Sequence, residues 1–198
     1  MAELAIDPAA RDLLFLRAHS AHTFNGAPVS DAQVEAIYDL VKYAPTSLNM
    51  QSMRVVLVRT PEARARLVDQ MGDNNKEKTA AAPLVAIVAA DVDFHEELPT
   101  QFPVFPMAKD LFFSDEEVRV VHATACANVQ LGYFLIGVRA AGLAAGPMGG
   151  FDVEGVNKEF FGDGTHRAVC VVCIGEPGPD AYRPRLPRLS YEEVFATV

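Results

Sequence analysis

The chain has 198 residues, half of them hydrophobic, which is enough for one well-buried domain and short for two, so residues 1–198 read as a single domain. A formal charge of −9, with no basic run interleaved with aromatics, argues against nucleic acid as a partner. The opening "MAELAIDPAARDLLF" lacks the basic-then-apolar layout of a secretory signal, and three cysteines fit a reducing compartment; a cytoplasmic location is the expectation.

In chain order, Ser30 with Gln33 makes a capping box ahead of Val34, Ile37, Tyr38 and Val41 at helical spacing, predicting a helix that ends near Ala44, before Pro45. The β-branched run "RVVLVRT" (54–60) predicts a strand, and "PEARARLVDQM" a helix opened by proline. "LVAIVAAD" (84–91) and "HRAVCVVCIGE" (166–176) are unbroken apolar strands of the kind found when both faces of a sheet are covered, which suggests parallel pairing. Between them, residues 93–113 carry three prolines and five phenylalanines without a period and read as a lid. A long helix follows, with Ser114 and Glu117 as its capping box, expected to be central and wholly buried. Arg119, His122, Asn128, Gln130 and Arg139 interrupt its apolar run, so it does not read as a membrane span. The proline-rich tail ends in a brief helical signal.

The chemical motifs are individually weak. "CVVC" (170–173) has dithiol spacing but sits in a strand, where positions three apart face opposite sides, so core packing is the better reading. His19 and His22 have no Cys, Asp or Glu at ligand spacing, and no metal site is expected. Neither GxGxxG nor GxxxxGK[ST] is present. "GLAAGPMGGFD" (142–152) reads as a turn behind the long helix: either an ordinary turn with Gly142 as C-cap, or a place where backbone approaches a flat ring closely. "APTSLNMQS" (44–52) offers Thr46, Ser47, Asn49 and Gln51 for hydrogen bonding, or is a Ser/Thr/Asn turn. Arg183, Arg185 and Arg188 form a local basic excess suited to phosphate or carboxylate.

Taken in order, these pieces resemble the FMN-dependent nitroreductase superfamily: "RAHSAHTF" (17–24), "APTSLNMQ", Asn75-x-x-Lys78, the long helix leading to "PMGGFD", and the basic tail before "YEEV". Within it, the likeness is greatest to malonic semialdehyde reductases of pyrimidine degradation, through "PVSD", "GPM.GFD" and "RLPRLS.EE". The resemblance implies an α+β fold with a mainly antiparallel sheet flanked by helices, in a homodimer with FMN at the interface and the C-terminal arm exchanged between subunits. It implies that Arg17, His19, Ser20 and His22, with Arg185 and Arg188, hold the FMN phosphate and ribityl side. Pro45, Thr46, Ser47 and Asn49 would come from the partner subunit. Asn75 and Lys78 would face the pyrimidine edge, and Pro147, Met148, Gly149 and Gly150 would lie along the ring. Around Ser20 this chain has histidines where the family has firmer cations, so the expectation is an FMN affinity that is either lower or pH-dependent. NAD(P)H would be the hydride donor, with no protein acid or base required. The acceptor implied is a small molecule: malonic semialdehyde, reduced to 3-hydroxypropionate, with Arg54, Lys109 and Arg119 as candidates for its carboxylate. The alternatives are a general nitro-, quinone- or enone reductase, or a flavin-binding protein with little turnover.

Overall fold

A computed structural model describes residues 4–198. Helix α1 (Pro8–Arg11) runs into a π turn (Asp12–Leu16), and α2 (Asp31–Val41) leads through a short 3-10 turn (Ser47–Asn49) to β1 (Met53–Val58). Next come α3 (Pro61–Gln70), α4 (Asp73–Ala81) and β2 (Leu84–Asp91), then a 3-10 turn (Phe94–Glu97) with the one-turn helices α5 (Leu98–Gln101) and α6 (Ala108–Phe112). The 25-residue α7 (Glu116–Ala140), β3 (Ala144–Met148), α8 (Val153–Phe160), β4 (His166–Gly175) and α9 (Tyr191–Val194) complete the chain.

The four strands lie in the order β1-β2-β4-β3, and every pairing is antiparallel. Parallel pairing, suggested by the unbroken apolar runs, is therefore corrected. The physical cause of those runs is nevertheless the one inferred, since both faces of the sheet are covered. Val85, Ile87 and Ala89 of β2 pack on one face with Leu67 of α3 and Val156 of α8. Leu84, Ala86 and Val88 pack on the other with Ile37 of α2 and Phe134 and Val138 of α7. Cys170 belongs to the second cluster and Cys173 to the first, so the two thiols face opposite sides of β4. Burial pushes the Cys173 thiol up to about 11, the reverse of what a reactive dithiol needs.

Three local readings change. The cap of α7 is Asp115, whose carboxylate accepts from the Glu117 and Val118 amides, rather than Ser114. Helix α2 ends at Val41, one turn before the expected Ala44, because Pro45 disfavours helical geometry in its predecessor. And "AAGPM" is strand β3, paired with β4, rather than part of a turn; Gly142, at φ 78°, makes the turn between α7 and β3.

Nor is α7 wholly buried. Ala123, Cys126, Ala127, Gln130, Phe134, Gly137 and Val138 form its inner stripe, while Val118, Val121, Val129 and Tyr133 are exposed, Val121 by 67%. Its length and hydropathy would suit a bilayer, but it packs against all four strands and α2. Gln130 accepts the Met53 amide at 2.9 Å and the Ala123 carbonyl accepts the Ser52 hydroxyl at 2.7 Å, tying it to the start of β1. The lid segment is seated by Phe94, Leu98, Ala108 and Phe113 on Ala123 and Ala127, and turns Val104, Phe105, Met107, Leu111 and Phe112 outward.

Candidate functional site

The end of β3 is the first half of the site. Beyond Met148 the ladder stops, and the Gly150 carbonyl is taken by the Gly72 amide and by Asn75 Nδ2, both at 3.0 Å. With the carbonyl turned toward α4, neither the Gly149 nor the Gly150 amide has an acceptor among the described residues. A Cβ on Gly149 would meet nothing within 4 Å, so open space lies against this backbone, as a flat ligand requires. Pro147 and Met148 precede it in β3, and Met148 Sδ receives the Thr79 hydroxyl at 3.9 Å.

The segment 19–24 lies against the opposite side of β3. The Ala21 amide donates to the Ala145 carbonyl at 2.9 Å and the His22 amide to the Ala181 carbonyl at 2.8 Å, so the start of the tail is drawn in beside it. His22, Lys78 and Arg183 are near enough for their charges to act on one another: burial first, then the positive charges of Arg183 and Lys78, hold the His22 imidazole below its ordinary value. Lys78 is half-buried, and neither it nor Arg183 forms an ion pair with a described residue. Two cations without a counter-charge among the described residues, Lys78 and Arg183, with an imidazole that burial and their charges hold neutral, make a candidate anion site together with the two free amides. Arg183 was visible only as part of a basic tail. That its charge, rather than that of Arg188, reaches His22 follows from the pairing at Ala181, which sequence does not display.

Other sequence-predicted residues sit differently. Ser20 is exposed on the same segment. Arg17 pairs with Asp12 at 3.3 Å, and the His19 ring lies 5.5 Å from that of Tyr182. Arg185 donates to the Leu16 and Ala18 carbonyls at 2.8 and 3.0 Å, clipping the tail to the segment before Ser20. Arg188 donates to the Leu186 and Pro187 carbonyls of its own turn and is not brought to the cluster.

The other group of candidate residues lies in the loop before β1. Leu48, Asn49 and Gln51 have φ of 48°, 52° and 43°, the left-handed region in three non-glycine residues out of four, a strain that packing must hold in place. The Thr46 hydroxyl accepts the Gln51 amide at 3.2 Å, Asn49 donates to the Gln101 carbonyl at 2.9 Å, and Gln51 to the Gln101 side chain at 3.0 Å. Pro45 and Ser47 are exposed on this loop. It enters β1, at the far edge of the sheet from β3, with two strands between; at the usual strand spacing this is roughly 14 Å. One chain therefore does not bring Pro45–Asn49 to Gly149.

The three candidate carboxylate-binding cations are all engaged. Arg54 pairs with Asp91 at 2.7 Å and Glu97 at 3.4 Å, Lys109 with Glu96, and Arg119 with Asp93 at 3.7 Å while donating to the Val92 and Phe113 carbonyls.

Comparison with known proteins places the chain in a family. The profile of the "Nitroreductase family" matches residues 16–176. A Streptomyces coelicolor protein named "Putative NADH dehydrogenase/NAD(P)H nitroreductase" is 60% identical over 195 residues, 98% of this chain and 99% of that one. In fold, the chain is similar to a Bacillus subtilis structure titled "putative nitroreductase ydfN" (TM-score 0.87, 22% identity, 97% of this chain and 100% of that one). It is also similar to an Exiguobacterium sibiricum structure solved in complex with FMN (TM-score 0.84, 17% identity, all of both chains). With the family profile spanning most of the chain, and the antiparallel sheet, glycine loop and cationic cluster in one framework, the protein belongs to the nitroreductase family.

Proposed function

We propose that the protein is an FMN-dependent NAD(P)H oxidoreductase, acting as a homodimer, that passes reducing equivalents to a planar, uncharged acceptor such as a quinone, nitroarene or enone. The observation that carries this reading is two cations without an ion pair among the described residues, Lys78 and Arg183, whose charges reach His22, together with the Gly149 and Gly150 amides that have no described acceptor. These residues fit the group: His22 and Arg183, with Ser20, would meet the phosphate, and Lys78 would lie where negative charge accumulates on reduction. The Gly149 amide would donate to the ring edge, and Gly150 and Asn75 hold that amide's loop in place. Bound FMN supplies two-electron chemistry, taking a hydride from NAD(P)H and giving one to the acceptor. The chain's part is to bind, orient and stabilise charge.

The separated half-sites support a dimer. A twofold contact through the exposed apolar face of α7 would let the 45–49 loop of one subunit approach Gly149 of the other. The tail fits an exchanged arm: Leu186, Leu189, Tyr191, Val194 and Phe195 are 59–74% exposed, apolar groups that their own subunit leaves largely uncovered.

Malonic semialdehyde is the narrower reading, and it rests on sequence likeness. Its carboxylate needs a cation, and Arg54, Lys109 and Arg119 are each already satisfied by Asp91, Glu96 and Asp93. Anaerobic protein loaded with FMN and reduced by one equivalent of NADPH decides between them. Fast return of the oxidised flavin band with a quinone or nitroarene, and slow return with the aldehyde, is the expected result; the reverse overturns the acceptor class. Failure to reduce the flavin with either nicotinamide would leave a flavin-binding protein instead.

A further inference from the structure

Behind the 17–19 segment lies a second cavity, of about 550 Å³, shared by α1, the end of α7, the start of β3 and the tail. Its walls include Leu13, Arg17, His19, Arg139, Leu143 and Tyr182, and none of Ser20, His22, Lys78 or Arg183. Its size is that of a site for a small organic ligand. Arg139 is the group that needs explaining. It is half-buried in the last turn of α7, it forms no ion pair or hydrogen bond with a described residue, and its Nε is buried without a partner. Taking a guanidinium out of water without an acceptor is costly, and the negative end of the helix offsets this only in part.

The neighbourhood makes the deficit larger. Burial is the largest effect and disfavours the charged form of Arg139; Tyr182 offsets part of this, and the Arg185 charge, a smaller effect, again disfavours it. Asp12 is the one carboxylate of the lining, and it is spent on Arg11 at 3.2 Å and Arg17 at 3.3 Å. In a chain of net charge −9, this corner is a local excess of positive charge whose one carboxylate is already paired. The rest of the lining is suited to a ring: the His19 and Tyr182 planes, 5.5 Å apart and tilted by 37°, stand with the apolar Leu13 and Leu143.

We propose that this cavity binds a planar aromatic carboxylate, separate from the cationic cluster at His22, with Arg139 as the anion's partner and the His19 and Tyr182 rings as the wall for its ring.

The test uses the FMN-loaded protein, so that the cluster at His22 is filled, with benzoate as the probe and inorganic phosphate beside it. The expected result is saturable heat of binding and a rise in Tm with benzoate, unchanged flavin absorbance, and weaker binding of phosphate. Arg139→Gln should weaken benzoate at least ten-fold, about 1.4 kcal/mol. Without benzoate it should melt no lower than the native protein, because it removes an uncompensated charge. Leu13→Trp, at a position 48% exposed, should block benzoate by filling the cavity without a folding penalty. Absence of saturable benzoate binding, equal affinity in Arg139→Gln, or a lowered Tm of that variant without ligand would each overturn the proposal. So would release of FMN by benzoate, which would make the cavity part of the flavin site, or phosphate binding as tightly as benzoate.

Discussion

Gly146 lies in β3 where the 19–24 segment crosses it, and a Cβ there would stand 2.5 Å from the Ala21 carbonyl oxygen and 3.7 Å from Cys173 Cβ. Ordinary contact begins near 3.4 Å, so Gly146→Ala requires a displacement of about 0.9 Å, and the obstacle is backbone, which cannot rotate away. Overpacking of this kind costs ~1–3 kcal/mol. Loss of the Ala21 amide to Ala145 carbonyl bond adds ~0.5–1.5 kcal/mol. A combined loss of ~1.5–4.5 kcal/mol should lower Tm by about 3–18 °C in a chain of this length. It should also weaken FMN, because Ser20 and His22 ride on the segment that is pushed off. Gly149→Ala is the matched control: its Cβ meets nothing within 4 Å, so Tm should stay within about 1–2 °C while FMN affinity falls, the methyl group standing where the ring approaches. Thermal unfolding of the apo-protein and quenching of FMN fluorescence measure the two quantities separately. If Gly146→Ala melts with the native protein, or Gly149→Ala binds FMN as tightly, the placement of the cofactor along β3 is wrong.

Because the charges of Arg183 and Lys78 and burial hold His22 below its ordinary value, the folded apo-protein takes up this proton later than the unfolded chain as pH falls; its small, solvent-screened effect is to weaken the apo-fold below about pH 6.5. A phosphate beside the ring reverses that shift, so FMN binding should take up a proton at His22 and weaken as pH rises from 6 to 8. Titration in buffers of different ionisation enthalpy would show the uptake, and His22→Lys should abolish both effects; a pH-independent dissociation constant in the native protein refutes the assignment. Cys173, with its thiol near 11, and buried Cys170 should resist a disulfide reagent at pH 8 in the native protein and react fully in denaturant, and rapid native labelling of either would contradict their burial. Truncation after Pro184 removes the uncovered apolar residues and should shift the protein from dimer to monomer on size exclusion, with loss of bound FMN; a truncated dimer that keeps its flavin would rule out the exchanged arm.

Much of this fold was readable one element at a time. The capping box at Ser30, the proline opening α3 and the apolar runs of β2 and β4 are local signals, set by hydrogen bonding and periodicity within a few residues. The opposite faces of Cys170 and Cys173 followed from strand alternation alone. Strand β3 was missed because "AAGPM" is small, short and contains proline, so its strand character comes from β4 beside it rather than from its own residues.

The sequence by itself determined the residue types of the site and their order along the chain, because the resemblance rests on spacing, and spacing is preserved when a chain is read end to end. Only the tertiary structure decided which of those residues meet. It brought the charge of Arg183 rather than Arg188 to bear on His22, engaged Arg54, Lys109 and Arg119 with carboxylates, and put the 45–49 loop and the Gly149 loop at opposite sheet edges. Each of these depends on pairings between segments tens of residues apart, such as His22 with Ala181, whose register is fixed by packing of the whole sheet and leaves no mark in either segment.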